Sequence, residues 1–209
     1  MGKIGKNSLN IQESNRLSIL RILAGEDVLT RAELSRRTGL KQATITNIIN
    51  DFLASGVVSE TGALKGNLGR RSIGIRINAE KFNVVAIKIA RRSYSVGIFN
   101  IKNQLLEKEY QKLDPAAGAS AVLERIVSDA RSLMQKYGSC CAVGVAVPGP
   151  YLRREGRIAV MTEFAGWEKI DICKQLGAAF EQPVFVEHDA NAGALGEWSR
   201  SANIGRDDV

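Results

Sequence analysis

The stretch RAELSRRTGLKQATITNIINDFLASGVV, residues 31–58, constrains the fold of this chain more than any other segment. Thr30 precedes Glu33 by three residues, the spacing at which a hydroxyl and a carboxylate cap the free amides of a helix start. We therefore predict a short helix over about 31–38, followed by a sharp turn at Gly39, where glycine allows a left-handed backbone. A second helix follows, with apolar residues at helical spacing: Ile45, Ile48, Ile49, Phe52 and Leu53. Two helices joined by a tight turn indicate a helix-turn-helix.

The second of these helices has amides and hydroxyls, rather than Glu and Lys, on the side away from its apolar residues. Such groups suit base edges and phosphates at close range, so this helix is predicted to enter the major groove of DNA. The predicted contacts are Lys41, Gln42, Thr44, Thr46 and Asn47. The alternative is a helical dimerisation module that has no DNA partner.

The segments on either side complete a winged helix. Upstream, Leu17, Leu20 and Leu23, with Ile19 alongside, predict the buried face of a first helix that ends at Gly25. Downstream, VVSE and SIGIRIN predict two strands around a glycine-rich, basic connection, which is typical of a wing. Arg70 and Arg71 in this connection are predicted to reach a narrow minor groove or phosphates. The alternative for this arginine pair is a solvated linker.

The charge of the chain is concentrated in this first region. Residues 1–78 hold twelve Lys and Arg against six Asp and Glu, whereas residues 79–209 hold seventeen against sixteen. A compact basic domain attracts polyanions, of which nucleic acid is the foremost candidate. We therefore predict a DNA-binding domain over 1–78.

From residue 79 the pattern changes to that of an α/β domain. Two apolar runs around ARRSY and a third alternating run predict a hairpin that leads to a third strand. An amphipathic helix follows, with apolar residues on one side: Val122, Ile126, Ala130 and Leu133. A strand, CCAVGVAV, comes next. PVFVEH is predicted to be another buried strand, which places Asp189 at its carboxyl end, where open α/β sheets bind ligands.

Other features exclude several protein classes. No apolar stretch is long enough for a membrane helix, and the amino terminus lacks the features of a secretory signal, so a cytoplasmic protein is expected. Cys140, Cys141 and Cys173 suit neither a disulfide framework nor a zinc knuckle. We predict buried apolar thiols and no metal site.

Five motifs occur together in order: the helix-turn-helix segment, GRRS, GVAVPGP, Gly166-Trp167 and VEHDANAGALGEW. On these motifs, residues 10–209 resemble the first two-thirds or so of a protein of the ROK family (repressors, open reading frames, sugar kinases), in its transcriptional-repressor branch. The resemblance implies an α/β chain with an N-terminal winged helix-turn-helix, followed over 79–209 by one lobe of an actin-like sugar-kinase fold. The family's second lobe, which in many members has a zinc site, would follow Val209. The chain is then either a fragment or a naturally shortened protein, and no cofactor is implied for the lobe present.

The resemblance also bears on catalysis. Kinases of the family have a glycine-rich hairpin with an Asp that helps place the metal, close to the phosphates of ATP. Here Lys88 stands at the position of the Asp, Ala90 and Arg91 stand where glycines are expected, and Arg92 replaces a hydroxyl residue. These residues remove the metal ligand and the close approach to phosphate, so the chain is expected not to be an enzyme and to have no catalytic residues.

Asp189 aligns with the general base of the family kinases. Without the phosphate hairpin, the resemblance implies instead that Asp189, Asn191, His188 and Glu163 bind a sugar or sugar phosphate. The alternative for Asp189 is capping of the helix that follows it. The resemblance implies a DNA-binding regulator that represses carbohydrate-related genes. It implies a homodimer where the second lobe is present or substituted. The alternatives are a sugar kinase with an accessory DNA-binding head and a truncated, partly defective regulator.

Overall fold

The computed structural model describes residues 8–65, 71–160 and 166–201. The chain forms two compact units, which divide between Lys81 and Phe82. Two residues of the predicted sites, Arg70 and Glu163, lie outside the described residues.

The first unit combines helices with a small antiparallel sheet. In its described part the elements are α1 (Ser8–Ala24), β1 (Leu29–Thr30), α2 (Arg31–Thr38), α3 (Gln42–Ala54), β2 (Val58–Lys65) and β3 (Arg71–Ile77). The strand order is β1-β3-β2, with Leu29 opposite Ile75 and Val58 opposite Ile77. The prediction of two helices around a turn at Gly39, followed by a two-stranded wing, is confirmed.

Helix α1 is present, but the prediction of its buried face was wrong in part. Burial is centred on Ile19 and Leu23, which are four residues apart and almost fully buried, whereas Leu17 is 53% exposed. The buried stripe runs along the i, i+4 row of the helix, and Leu17, two residues before Ile19, lies more than half a turn away, on the exposed side.

The second unit is a mixed sheet with helices. Its described elements are β4 (Asn83–Ile89), β5 (Ser93–Asn100), β6 (Leu105–Lys112), α4 (Ala119–Tyr137), β7 (Cys140–Val147), β8 (Tyr151–Leu152), β9 (Arg157–Ile158), α5 (Ile172–Ala179), β10 (Val184–His188) and α6 (Asp189–Ser201), with 3₁₀ turns at Pro115–Ala117 and Trp167–Lys169. The main sheet has the order β10-β7-β4-β5-β6. Strands β4, β7 and β10 are parallel, and β5 and β6 are antiparallel to their neighbours, as the predicted hairpin and third strand require.

One face of this sheet forms the core of the second unit. Alternate residues of the central strands, such as Val85, Ile87 and Val145, pack against the buried side of α4. The predicted residues of that helix, from Val122 to Leu133, are all buried. Tyr94 donates a hydrogen bond to Asp129 at 2.6 Å, and burial, followed by this carboxylate, raises the pKa of the Tyr94 hydroxyl. The opposite face carries the intervening residues of the same strands.

Strand β10 is not the buried strand that its apolar sequence predicts. It pairs with β7 on one side and is an outermost strand of the described sheet, and Phe185 is 65% exposed. A run of apolar residues is ambiguous here, because it does not distinguish a central strand from an edge strand whose second side is open.

The cysteine prediction was also wrong in part. Cys140 is half-buried, but Cys141 and Cys173 are exposed, since they lie at the amino end of β7 and in the first turn of α5 rather than within the core. Across the described ranges, no helix combines the length and apolar character needed to cross a bilayer.

Candidate functional site

The first candidate site is the helix-turn-helix, and its entry helix is fixed by a reciprocal cap. The Thr30 hydroxyl accepts the backbone N–H of Glu33 at 3.2 Å, and the Glu33 carboxylate accepts the backbone N–H of Thr30 at 2.8 Å. The backbone N–H of Thr30, followed by its hydroxyl, holds the pKa of Glu33 below its usual value. This cap sets the first residue of α2, as the sequence predicts.

The turn between the two helices is held by local hydrogen bonds. Gly39 has a φ of 71°, and its N–H donates to the carbonyl of Ser35 at 2.9 Å. The Ser35 hydroxyl donates to the carbonyl of Leu40 at 2.6 Å, beyond the turn. Because these contacts connect the end of α2 to the residues before α3, they fix the direction in which α3 leaves the turn.

Helix α3 buries one face and exposes another. Ile45, Ile48, Ile49 and Phe52 are buried, as predicted. Of the residues predicted to contact DNA, Lys41, Gln42 and Asn47 are exposed, whereas Thr44 and Thr46 are half-buried. Asn50, outside the predicted contact set, is exposed one turn beyond Asn47. Asn47 and Asn50 lie centrally on the exposed face, and the two threonines lie on its flanks.

The wing is connected to α2 by an ion pair. Arg31 Nη2 lies 2.8 Å from Glu60 Oε1, and the pairing of β2 with β3 shifts register between Glu60 and Ala63. The ion pair thus joins α2 to the strand just before the wing changes register. Arg71 begins β3 opposite Lys65, and its side chain is not among the described ones.

The second candidate site lies at the carboxyl ends of the parallel strands β4, β7 and β10. Helix α6 begins at Asp189, directly after β10. His188 Nε2 lies 3.3 Å from Asp189 Oδ1, and each side chain is about one-third exposed, at 34% and 35%. The imidazole also packs close to Gly149, at which a Cβ would come within 2.5 Å of Nε2. The structure therefore brings His188 and Asp189 together at a partly open surface.

Asn191 contacts a carboxylate other than Asp189. Its side-chain amide donates to Glu187 Oε1 at 3.1 Å, and the same oxygen accepts the backbone N–H of His188 at 2.9 Å. Arg153 Nη2 lies 3.0 Å from Glu187 Oε2. These contacts, the Asn191 hydrogen bond first, lower the pKa of Glu187. Sequence reasoning missed Glu187, although its place at the end of a strand beside Asp189 was a signal that could have found it.

The hairpin at the end of β4 has basic residues. Lys88 is exposed on the face opposite α4, and the Ala90 N–H donates to the Ser93 carbonyl at 2.8 Å across a tight turn that contains exposed Arg91. Within the described ranges, no group of three or more His, Cys, Asp or Glu side chains could hold a metal ion. An open cavity of about 590 Å³ lies elsewhere, between α4 and α5, and the predicted ligand residues do not line it.

Comparison with known proteins places both units among characterised families. The winged helix-turn-helix DNA-binding family model matches residues 12–59, and the ROK family model matches residues 84–209. A crystal structure of a ROK family transcriptional regulator, a homolog of the E. coli Mlc protein, superposes with a TM-score of 0.67 at 19% identity. That alignment covers 90% of this chain and 50% of the other, and it supports the fold.

Curated relatives align over nearly the whole chain. The xylose repressor of Caldicellulosiruptor bescii is 22% identical over 93% of this chain and 49% of its own length. The transcriptional repressor Mlc of Escherichia coli K12 is 24% identical over 95% of this chain and 50% of its own length. The chain therefore spans about half the length of the curated relatives it matches, rather than the two-thirds expected. Because the ROK family model covers more than half of the sequence and the winged helix-turn-helix precedes it, the chain belongs to the ROK family.

Proposed function

We propose that the chain acts in a DNA-binding transcriptional regulator, a repressor of carbohydrate-related genes, whose ROK region senses a sugar or sugar phosphate. The observation that carries this proposal is the capped helix-turn-helix, in which α3 exposes amide side chains. The repressor names of the relatives support the same conclusion. The proposed place of action is the cytoplasm.

The exposed face of α3 has the chemistry needed to recognise bases. Asn and Gln amides can each donate and accept, so they can form paired hydrogen bonds with adenine in the major groove. Gln42 and Asn47 are both exposed, and Lys41, which precedes the helix, can contact a phosphate. Arg70 and Arg71 are proposed to add minor-groove or phosphate contacts from the wing. Thr44 and Thr46, which are half-buried on the flanks of the exposed face of α3, are proposed to contact the DNA through their hydroxyls.

The carboxyl ends of the parallel strands are the proposed sensor. Asp189 offers a partly exposed carboxylate, and Asn191 and Glu187 form a polar cluster beside it. Carboxylates and amides bind sugar hydroxyls by accepting and donating hydrogen bonds. His188 is proposed to orient Asp189, and Glu163 to contact the same ligand.

We infer that this lobe does not transfer phosphate. Lys88 places a cation where a metal-dependent kinase needs an acid, and a cation repels Mg²⁺. The alternative, a sugar kinase with a DNA-binding head, predicts ATP turnover that Asp189→Ala abolishes. A coupled assay of ADP release, with glucose and xylose as acceptors, distinguishes the two functions.

The regulator is proposed to bind DNA as a homodimer. Helix-turn-helix proteins that bind palindromic sites place two recognition helices about one helical turn of DNA apart. The oligomeric state on DNA is therefore measured together with DNA binding.

Fluorescence anisotropy with the DNA upstream of the gene tests the proposal, with scrambled DNA as competitor at about 0.15 M salt. We expect binding that scrambled DNA does not displace, and Asn47→Ala should weaken it about tenfold because a base contact is lost. Gln135→Ala, a change on the exposed side of α4, is the matched control and should leave the affinity unchanged. Equal and weak binding to both DNAs would contradict the proposal and favour the partly defective regulator.

A further inference from the structure

Helix α3 ends in a motif that satisfies its last carbonyls. Gly56, which has a φ of 72°, donates its N–H to the Leu53 carbonyl at 3.0 Å, and Val57 donates to the Phe52 carbonyl at 2.9 Å. These two bonds form a Schellman motif, which requires the left-handed backbone that glycine adopts without strain. Gly56 therefore turns the chain from α3 towards β2, and its own carbonyl points out of the helix.

The residues that contact this turn come from the end of the first unit. Asn78, which follows β3, donates its side-chain amide to the Gly56 carbonyl at 2.8 Å and its backbone N–H to the Val57 carbonyl at 2.9 Å. The N–H of Lys81 donates to the Asn78 carbonyl at 3.1 Å, so the chain turns back after Asn78. Asn78 and Lys81, three residues apart, are thus both directed at the end of α3.

The Lys81 side chain lies against Gly56. A Cβ added at Gly56 would overlap Lys81 Nζ and would come within 3.1 Å of its Cε, so the ammonium group and the end of its stem contact the backbone there. The carbonyls at the end of a helix carry partial negative charge, which a nearby cation stabilises. Lys81 therefore places its charge where α3 favours it, and the glycine leaves the space that this position requires.

The last turns of α3 are also held by α1. Arg16 of α1 forms an ion pair with Asp51, one turn before the end of α3. The helix is 13 residues long, or roughly 20 Å, and an α-helix of this length is stiff. Asn47 and Asn50 lie between its two ends. A shift of the C-terminal end therefore changes the direction in which both exposed amides point.

We infer that Asn78 and Lys81 are positioning residues for DNA recognition, which hold the C-terminal end of α3 and do not contact DNA themselves. This inference rests on the proposed DNA-binding function and deepens it. A residue that contacts phosphate contributes to the binding of any DNA sequence. A residue that directs α3 contributes only where the helix reads bases, so the two roles are separable by experiment.

Fluorescence anisotropy on the full chain, with the DNA upstream of the gene and with scrambled DNA, tests the inference. Asn78→Ala should weaken binding to the upstream DNA about fivefold, because the Gly56 carbonyl loses its donor, and should leave binding to scrambled DNA unchanged. Lys81→Met should weaken binding to the upstream DNA alone by about two- to threefold. Lys81→Arg keeps the cation and should restore the wild-type affinity.

The salt dependence of binding distinguishes a positioning residue from a phosphate contact. Each phosphate contact that is lost reduces the slope of log affinity against log salt concentration by about one. We expect Asn78→Ala and Lys81→Met to keep the wild-type slope. Without DNA, hydrogen exchange of a peptide that spans the end of α3 should be about two- to fivefold faster in both variants, because the end of the helix is held less firmly.

Matched controls make the same changes at exposed positions on other helices. Asn10→Ala lies on α1, and Lys174→Met lies on α5. Both should keep the wild-type preference for the upstream DNA. Circular dichroism checks that each variant is folded, and Lys81→Met, which changes an exposed side chain, tests the inference even if Asn78→Ala does not fold.

The inference is overturned if Asn78→Ala and Lys81→Met keep the wild-type preference for the upstream DNA. It is also overturned if they weaken binding to both DNAs equally, since the two residues would then affect only the stability of the unit. A slope that falls by about one in Lys81→Met would make Lys81 a phosphate contact and overturn its positioning role.

Failure of the proposed function has a different signature. If the wild-type chain does not prefer the upstream DNA, the DNA-binding proposal and this inference both fail. If the wild type prefers it and both variants do so equally well, only this inference fails.

Discussion

At the scale of single residues, Thr30 and Glu33 determine where α2 begins. Each accepts the other's backbone N–H, so two amides at the start of the helix are satisfied without water. Leu34, the next residue in the helix, is fully buried. The cap therefore fixes the first turn of α2 and, with it, the position of Leu34 in the core.

Loss of the Thr30 hydroxyl should destabilise the first unit. Thr30→Ala is expected to lower the free energy of unfolding by about 1 kcal/mol, the usual contribution of an N-cap hydroxyl. Urea unfolding followed by far-UV circular dichroism measures the change. Thr61→Ala, in the wing, is the matched control, and an equal loss in both variants would show that the cap has no special role.

The Glu33 carboxylate should make this cap sensitive to acid. Its pKa is held below 4.5 by hydrogen bonds from Thr30. A group whose pKa is lowered by folding stabilises the fold above its unfolded pKa, and that contribution is lost as the pH falls through the folded pKa. The stability difference between wild type and Glu33→Gln should be full at about pH 7 and should decrease as the pH is lowered below about 4.3, the usual pKa of a glutamate. A difference that is constant across this range would contradict the role of the charge.

The partner of Asn191 could not be predicted from sequence. Asp189 and Glu187 lie two and four residues before it, and in an isolated helix the i, i+4 neighbour is within reach, but Glu187 belongs to a strand. Only the junction of β10 with α6 shows that the amide of Asn191 lies over the end of the strand and reaches Glu187. The choice between two nearby carboxylates is a matter of tertiary geometry.

At the scale of elements, the wing is held to the helices at one side of its base. Arg31 Nη2 pairs with Glu60 just before the register shift of β2, and Asn78, after β3, donates to the Gly56 carbonyl at 2.8 Å. The Arg31 side chain is 23% exposed, so the ion pair is only partly screened by solvent. The Glu60 side chain is 39% exposed, so the ion pair contributes only the modest amount typical of pairs near the surface.

Removal of this ion pair should loosen the wing. Glu60→Gln is expected to raise the hydrogen-exchange rates of the β2 and β3 amides beyond the register shift about two- to fivefold, since such pairs contribute about 0.5 to 1 kcal/mol. Exchange measured by mass spectrometry on wing peptides gives the rates. Glu80→Gln changes an exposed carboxylate outside the wing and should leave them unchanged. If the hydrogen-exchange rates of the wing amides are unchanged in Glu60→Gln, the backbone hydrogen bonds between β2 and β3 hold the hairpin without help from the ion pair.

Elements with strong local signals were predictable, and elements defined by distant packing were not. Helix α2 is set by a cap and a glycine within nine residues, so its sequence determines its bounds. Strand β10 has an apolar sequence, but its place at the outside of the sheet depends on the order of four other strands. The buried side of α1 likewise depends on what packs against it, which is why Leu17 was misplaced.

At the scale of the whole molecule, the two outer strands of the main sheet differ in their suitability for self-association. Strand β6 has a run of charges from Glu107 to Lys112, which discourages pairing with another edge. Strand β10 reads VFVEH, and its Phe185 is 65% exposed. Leu195 and Trp198 on α6 are also more than half exposed. The β10 edge is therefore the more apolar of the two edges, and it is the one expected to associate with another chain.

The difference between these strands should be visible in solution. Phe185→Lys is expected to reduce concentration-dependent self-association, because it places a charge on the exposed apolar edge. Light scattering after gel filtration over a range of concentrations measures the mass. Tyr110→Lys, an equivalent change on exposed β6, should have a smaller effect. Equal effects of the two changes would show that the apolar edge does not drive association.

The absence of a side chain at Gly149 has a consequence for Asp189, the acid directly after the end of β10. A methyl group there would come within 2.5 Å of His188 Nε2, the same nitrogen that lies 3.3 Å from Asp189. The imidazole would have to swing aside, and Asp189 would lose its neighbour. Positions 149 and 188 are thus sterically coupled. A residue larger than glycine at 149 requires the His188 ring to move, and that movement changes the surroundings of Asp189 in the proposed sensing site.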